Sequence, residues 1–273
     1  MTVMPQVAWL PDGRRLHLHH GPIDLIIEIW GDGRAEAYVA VVQRFETVLQ
    51  ELVDELPGLR QSADQEIVFE GQIAQKMQKA ARVGLPDFVT PMMAVAGAVA
   101  DEIANIIANV PGVARAYVNN GGDVALVLTE GETLRAKVIG NSAGVKVNAE
   151  DPIRGVATSG WSGRSLSLGI ADAVTVLAHT AAEADVAATL IANHVDVPGH
   201  PAIKRAPANE VREDTDLGAR LVTVDVAPMP AEDVEQALLR GVQYSEKLSQ
   251  KMPLAGVHLY AQGQARCGLK FLS

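Results

Sequence analysis

The run Ala184-Asp185-Val186-Ala187-Ala188-Thr189 sets a carboxylate and a hydroxyl four residues apart in a stretch of small apolar side chains. On a helix that spacing puts both oxygens on one face. A carboxylate among alanines gains nothing by packing and, once desolvated, requires a cation or several hydrogen-bond donors. Asp185 and Thr189 therefore read as two oxygen ligands of a hard divalent cation such as Mg2+, with water or a phosphate filling the rest of its shell. The same residues also admit a plainer reading, in which Asp185 favours the positive helix end and Thr189 bonds back to a carbonyl.

Three further segments carry donors. Asn119-Asn120-Gly121-Gly122-Asp123 joins two apolar runs, and its paired glycines let backbone N–H groups approach a ligand, although Asn-Gly chemistry makes a hairpin turn without one. Thr158, Ser159 and Gly160 lead into a loop with Ser162, Arg164, Ser165 and Ser167, donors that suit a phosphate and are equally at home on a surface loop. Gly169-Ile170-Ala171-Asp172 brings a second acid to the start of a strand. His17, His19 and His20 read as an exposed strand edge or tail, because the flanking chain offers no acidic partner at a suitable spacing. Trp161 either stacks on a planar ligand or serves packing, and Cys267 reads as an inert thiol.

The elements that must position these residues follow from periodicity. Thr180-Ala181-Ala182-Glu183 reads as a capping box, with the Thr180 hydroxyl taking a helix N–H and Glu183 reaching back, which starts the helix that carries Asp185. Apolar residues at Tyr38, Val41, Phe45, Val48, Leu52 and Leu56 predict a helix over 34–56. Its stripe packs within one subunit or against a second copy in a homodimer. Further helices are expected over 72–83, over 92–109 behind a Thr90-Pro91 cap, and over 230–252. Strands are expected at 23–30, 114–119, 124–129, 133–139, 155–158, 172–178 and 219–226, with a closing hairpin at 256–271. The polar stretch 196–217 reads as an ordered excursion over the surface. Antiparallel strand groups with long helices predict an α+β domain over 1–273, whose motif core is about 90–193.

The chain has 273 residues, 48% of them hydrophobic and 21% charged, which suffices for a substantial core. A formal charge of −10 argues against nucleic acid or an anionic membrane as partner and leaves room for a phosphorylated small molecule. A lone cysteine permits no internal disulfide. No secretory hydrophobic stretch is read in 1–22, and 92–100 is too short for a membrane span, so a cytoplasmic protein is expected.

Taken in order, four of these segments resemble the ApbE flavin-transferase family. They are Gly97-Ala98-Val99-Ala100-Asp101, Val118-Asn119-Asn120-Gly121-Gly122-Asp123, Ala157-Thr158-Ser159-Gly160, and Ala184 to Thr189; the likeness spans roughly Thr90 to Asn193. The runs Pro91 to Ala98 and Ser165 to Ala173 are most similar to a shorter branch of that superfamily. The resemblance implies an ApbE-like α+β fold and Mg2+-dependent binding, transfer or hydrolysis of a flavin nucleotide, FAD or FMN. It implies Asp185 and Thr189 as metal ligands, with a backbone carbonyl from 93–96 completing the shell. It places Asn119, Asn120, Gly121, Gly122, Asp123, Thr158, Ser159 and Gly160 around the nucleotide, with Arg164 on phosphate and Asp172 as the catalytic base or a supporting acid. Ala96 stands where those transferases carry a lysine, and Gly169-Ile170-Ala171-Asp172-Ala173 stands where they carry His-Ile-Ile-Asp-Pro. Those departures leave two alternatives: a binding or scaffold protein that keeps the fold without catalysis, and an enzyme for an unrelated small molecule.

Overall fold

The structure, a computed structural model, describes residues 4–163 and 165–269. Alternation of side chains on successive strands organises it. The chain runs β1 (Gln6–Trp9), β2 (Leu16–His20), β3 (Ile23–Gly31), α1 (Arg34–Asp54), the single turn α2 (Leu56–Leu59) and α3 (Gln72–Arg82). A 3-10 turn over Pro91–Ala94 leads into α4 (Val95–Ala108), followed by β4 (Val113–Asn120), β5 (Asp123–Leu128), β6 (Thr133–Val138), β7 (Asn141–Asn148), β8 (Gly155–Ser159) and β9 (Ala173–Ala178). Then come α5 (Ala181–His194), β10 (Ile203–Pro207), α6 (Ala208–Val211), β11 (Leu221–Val226), α7 (Ala231–Ser249), β12 (Leu254–Ala261) and β13 (Gln264–Gly268).

Nine strands form one antiparallel sheet in the order β1-β2-β3-β4-β5-β8-β9-β12-β13, and α1, α4, α5 and α7 lie side by side across it. Ala125 and Val127 of β5 and Val174 and Val176 of β9 face these helices and join the main core. Leu126, Leu128 and Leu177, one residue out of phase, point the other way and are covered by Val145 and Val147 of the β6–β7 hairpin. That alternation is what a sheet buried on both faces needs. The architecture is α+β, as the sequence predicts.

The apolar stripe of α1 is buried within one subunit, with Val41 and Val48 fully enclosed and Phe45 1% exposed. The run Pro91–Ala108 has the length and mean hydropathy (1.3) of a membrane span. Its buried residues include Ala98, Val99, Ile103 and Ile107, packed in the main core.

Several expectations need correction. Thr90 does not cap the helix that follows; its hydroxyl donates to Asp216. No strand is expected from the sequence at β1, β7 or β10. The first half of β7, Asn141-Ser142-Ala143-Gly144, lacks β-branched residues, and β10 ends on a proline at Pro207. β2 is the second strand of the sheet, not a tail, and His20 is buried with its ring 6.1 Å from that of Phe45. His17 does find an acidic partner: β3 places Asp24 Oδ1 2.7 Å from its Nε2, a pairing that local sequence spacing did not reveal.

The contact that governs the site is that of α4 with the start of α5. Gly97 has no side chain, and a Cβ built there would lie 2.2 Å from the Ala181 carbonyl oxygen. Only glycine lets the two backbones come so close. Replacing Gly97 by Ala is expected to cost roughly 3 kcal/mol, because backbone rather than a flexible side chain must move. Urea denaturation measures this, and a change below about 0.5 kcal/mol would contradict the assigned contact.

Candidate functional site

The helix carrying Asp185 is held at its start by two sources. The Thr180 hydroxyl accepts the Glu183 N–H at 3.1 Å, as the capping box predicts. Glu183 does not reach back: its Oε2 is buried without a hydrogen bond, and the first N–H groups go elsewhere. Ala181 and Ala182 donate to Oδ1 and Oδ2 of Asp101 on α4, each at 2.9 Å. Asp101 is thus a bidentate cap supplied from a neighbouring helix, satisfying donors that a helix start leaves open.

The exchange is reciprocal. Gly97 of α4 donates its N–H to Asp185 Oδ2 at 3.0 Å. Asp185 and Thr189 line one cavity of about 190 Å³, together with Ala96, Asp123, Asn193 and Arg212 among others. Burial pushes the Asp185 carboxyl well above the usual carboxylate range, and the charge of Asp123 adds to the rise, while backbone hydrogen bonds at Gly97 and Ala96 pull the other way. Two carboxylates therefore share this small space. Sequence reasoning placed Asp123 with the nucleotide; its proximity to Asp185 becomes visible only once β5 is set beside α5.

The β4–β5 turn explains where the other predicted residues lie. Gly121 and Gly122 adopt φ of 67° and 118°, a tight reversal in which Asn119 Oδ1 accepts the Gly122 N–H at 2.8 Å. Asn119, Gly121, Gly122, Thr158, Ser159 and Gly160 line a second, larger cavity of about 730 Å³ between the sheet and the β6–β7 hairpin. Asp123 connects the two spaces, since it lines the smaller one and accepts the N–H of Thr158, which lines the larger, at 3.4 Å. Asn120 departs from its predicted role. It is 4% exposed, and its Nδ2 donates to the Ala96 carbonyl at 3.1 Å, so it positions the backbone of the smaller cavity.

Asp172 lines the larger cavity, apart from Asp185 and Thr189. Both of its oxygens are already engaged: Oδ1 accepts the Trp161 indole N–H at 3.1 Å and Oδ2 the Gln262 N–H at 2.7 Å. It ties the 159–163 loop to the β12–β13 turn, an arrangement that suits a positioning acid rather than a free base. Trp161 is fixed by that bond and is not among the residues lining the cavity. Arg164 lies outside the described residues. Cys267 is a free, exposed thiol on β13.

Among the described residues no three His, Cys, Asp or Glu side chains are grouped to hold a metal ion. Two acids, Asp123 and Asp185, the hydroxyl residue Thr189, and Ala96, whose carbonyl accepts the Asn120 amide, line the smaller cavity. That all-oxygen set suits a hard cation that keeps several waters or a phosphate in its shell, as Mg2+ does.

Comparison with known proteins places the chain in a family. The family model described as AbpE bacteria matches residues 7–267. A UPF0280 protein of Methanothermobacter thermautotrophicus is 33% identical over 156 residues, covering 55% of this chain and 59% of that protein. A UPF0280 protein of Methanopyrus kandleri is 40% identical over 134 residues, covering 45% and 48%. The chain thus spans about half the length of these relatives. The crystal structure of Pseudomonas stutzeri flavinyl transferase ApbE in its apo form aligns with 72% of this chain and 87% of that one, at 12% identity and a TM-score of 0.33.

The Asp101 cap has a consequence for stability. Burial pushes its carboxyl up to about 6, with the charge of Glu183 adding and the two N–H bonds and Lys76 opposing. The folded state then holds this proton more tightly than the unfolded chain. The resulting stabilisation is full below about pH 4 and is lost as pH rises through about 6. Relative to Asp101→Asn, the native protein is expected to lose roughly 2–3 kcal/mol between pH 4 and pH 7. Urea titrations of both proteins across that range measure the difference, and a gap that does not vary with pH would contradict it.

Proposed function

We propose, for a chain that belongs to the AbpE bacteria family, that the two adjoining cavities form a divalent-cation-dependent site for a phosphorylated planar ligand, a flavin nucleotide. The observation that carries this reading is the meeting of Asp123 and Asp185 in one small cavity. Like charges brought together in a partly desolvated space destabilise each other unless a proton or a cation sits between them. Asp185, Asp123, Thr189 and the Ala96 carbonyl would hold the cation. When bound, it supplies charge neutralisation for a phosphate or phosphoanhydride. The flavin identity rests on the likeness of the four ordered motifs to flavin transferases.

The chain's own residues do the positioning. Gly97 N–H fixes the Asp185 carboxyl through Oδ2, and Asp185 lines the smaller cavity. Asn120 holds the Ala96 carbonyl, and Asp172 and Trp161 pin the loop that walls the larger cavity. Gly121, Gly122 and the 158–160 segment border a space large enough for a fused-ring system.

A carrier without turnover is the second reading. It is favoured by Ala96, which offers a methyl group where the transferases that the motifs resemble carry a lysine. Incubation with FAD and Mg2+ separates the two, since an enzyme releases AMP or flavinylates an acceptor, while a carrier forms a stable yellow complex. In either case Asp185→Ala is expected to abolish Mg2+-dependent binding of FMN in a calorimetric titration, with the fold retained by circular dichroism. Unchanged affinity would contradict the proposed site.

A further inference from the structure

The polar excursion between α5 and α7 is not passive covering. β10 and β11 pair antiparallel, and the strap between them, residues 208–217, closes one wall of the smaller cavity. The strap is tied down at several points. Ala208 and Leu217 form a small apolar cluster with Val222 against Phe88 and Leu166. The Thr90 hydroxyl donates to Asp216. Arg60 pairs with Asp214 at 3.0 Å. Thr90 immediately precedes the 3-10 turn that leads to Ala96 and Gly97, so the strap is latched to the segment that supports Asp185.

The residues that line this cavity are of two chemical kinds. Asp123, Asp185, Asp216 and Thr189 carry oxygens, while Arg212 from the strap, the one cationic residue among them, and Ser165, Thr215 and Asn193 carry donors. Asn193 has its Oδ1 occupied by Leu168 N–H at 2.9 Å and by the Ser167 hydroxyl, which leaves its NH2 as the group to offer. Acceptors and donors gathered around about 190 Å³, room for roughly six waters, describe a space for a cation and an anionic group together, and not for a fused ring.

We infer that Arg212 is the anion-recognising residue of this site, receiving the phosphate of a ligand whose planar part occupies the larger cavity. This rests on the function proposed above and adds the residue that separates phosphorylated from unphosphorylated ligands. A guanidinium suits the task because its fork of N–H donors matches two phosphate oxygens. Arg212 is exposed at the cavity wall, so its replacement leaves the core untouched.

The test uses the full chain with Mg2+ and two probes, FMN and riboflavin, which differ by one phosphate. Arg212→Gln is expected to weaken FMN binding by about tenfold to a hundredfold while riboflavin binding stays as in the native protein, and Arg212→Lys is expected to recover part of the loss. Equal loss for both probes would overturn the inference, because it would make Arg212 a support of the strap only. Native FMN affinity in Arg212→Gln, alongside lost affinity in Asp185→Ala, would overturn the inference and leave the proposed function standing. Native FMN affinity in Asp185→Ala, or no FMN binding by the native protein, would remove both.

Discussion

Helices α4 and α5 hold each other by exchanging backbone donors for carboxylates. Asp101 of α4 takes the first two N–H groups of α5, and Asp185 of α5 takes the N–H of Gly97 near the start of α4. All three bonds need the close approach that glycine permits at position 97, where a Cβ would run into the Ala181 carbonyl. Exchange of this kind fixes the rotation and axial position of one helix against the other, since each carboxylate has one place where its donors lie.

The site inherits its geometry from that exchange. With α5 fixed, Asp185 is set facing the start of β5, and Asp123 there is near enough for its charge to add to the rise in the Asp185 carboxyl's proton affinity. The surrounding polar network serves position more than ligand contact. Asn120 is spent on the Ala96 carbonyl, and Asp172 on Trp161 and Gln262. Both looked like ligand-facing groups from their neighbours in sequence. Buried polar groups need partners, and where a strand end or a loop must be held the protein supplies them from such residues.

Much of this was legible in the chain itself. The stripe from Tyr38 to Leu52, the Thr180 cap and the Asn-Gly reversal at 119–122 depend on residues within a few positions of one another, and they fold as their spacing demands. What escaped depends on how separate elements come together. Asp101 displaced Glu183 as the cap because it lies on a helix some eighty residues away, and Asp24 reached His17 only because β2 and β3 pair. The strap at 208–217 read as surface covering, since nothing local ties Asp216 to Thr90. Asp123 is the instructive case: the sequence marked it as functional, and its meeting with Asp185 required the sheet.

The central claim is that Asp123 and Asp185 together seat a cation. Anomalous diffraction from crystals of the protein grown with Mn2+ in place of Mg2+ tests this most directly. The account predicts a peak within coordination distance of both carboxylates and of Thr189. A well-ordered map at saturating Mn2+ with no peak between Asp123 and Asp185, or with the metal held elsewhere, would contradict it.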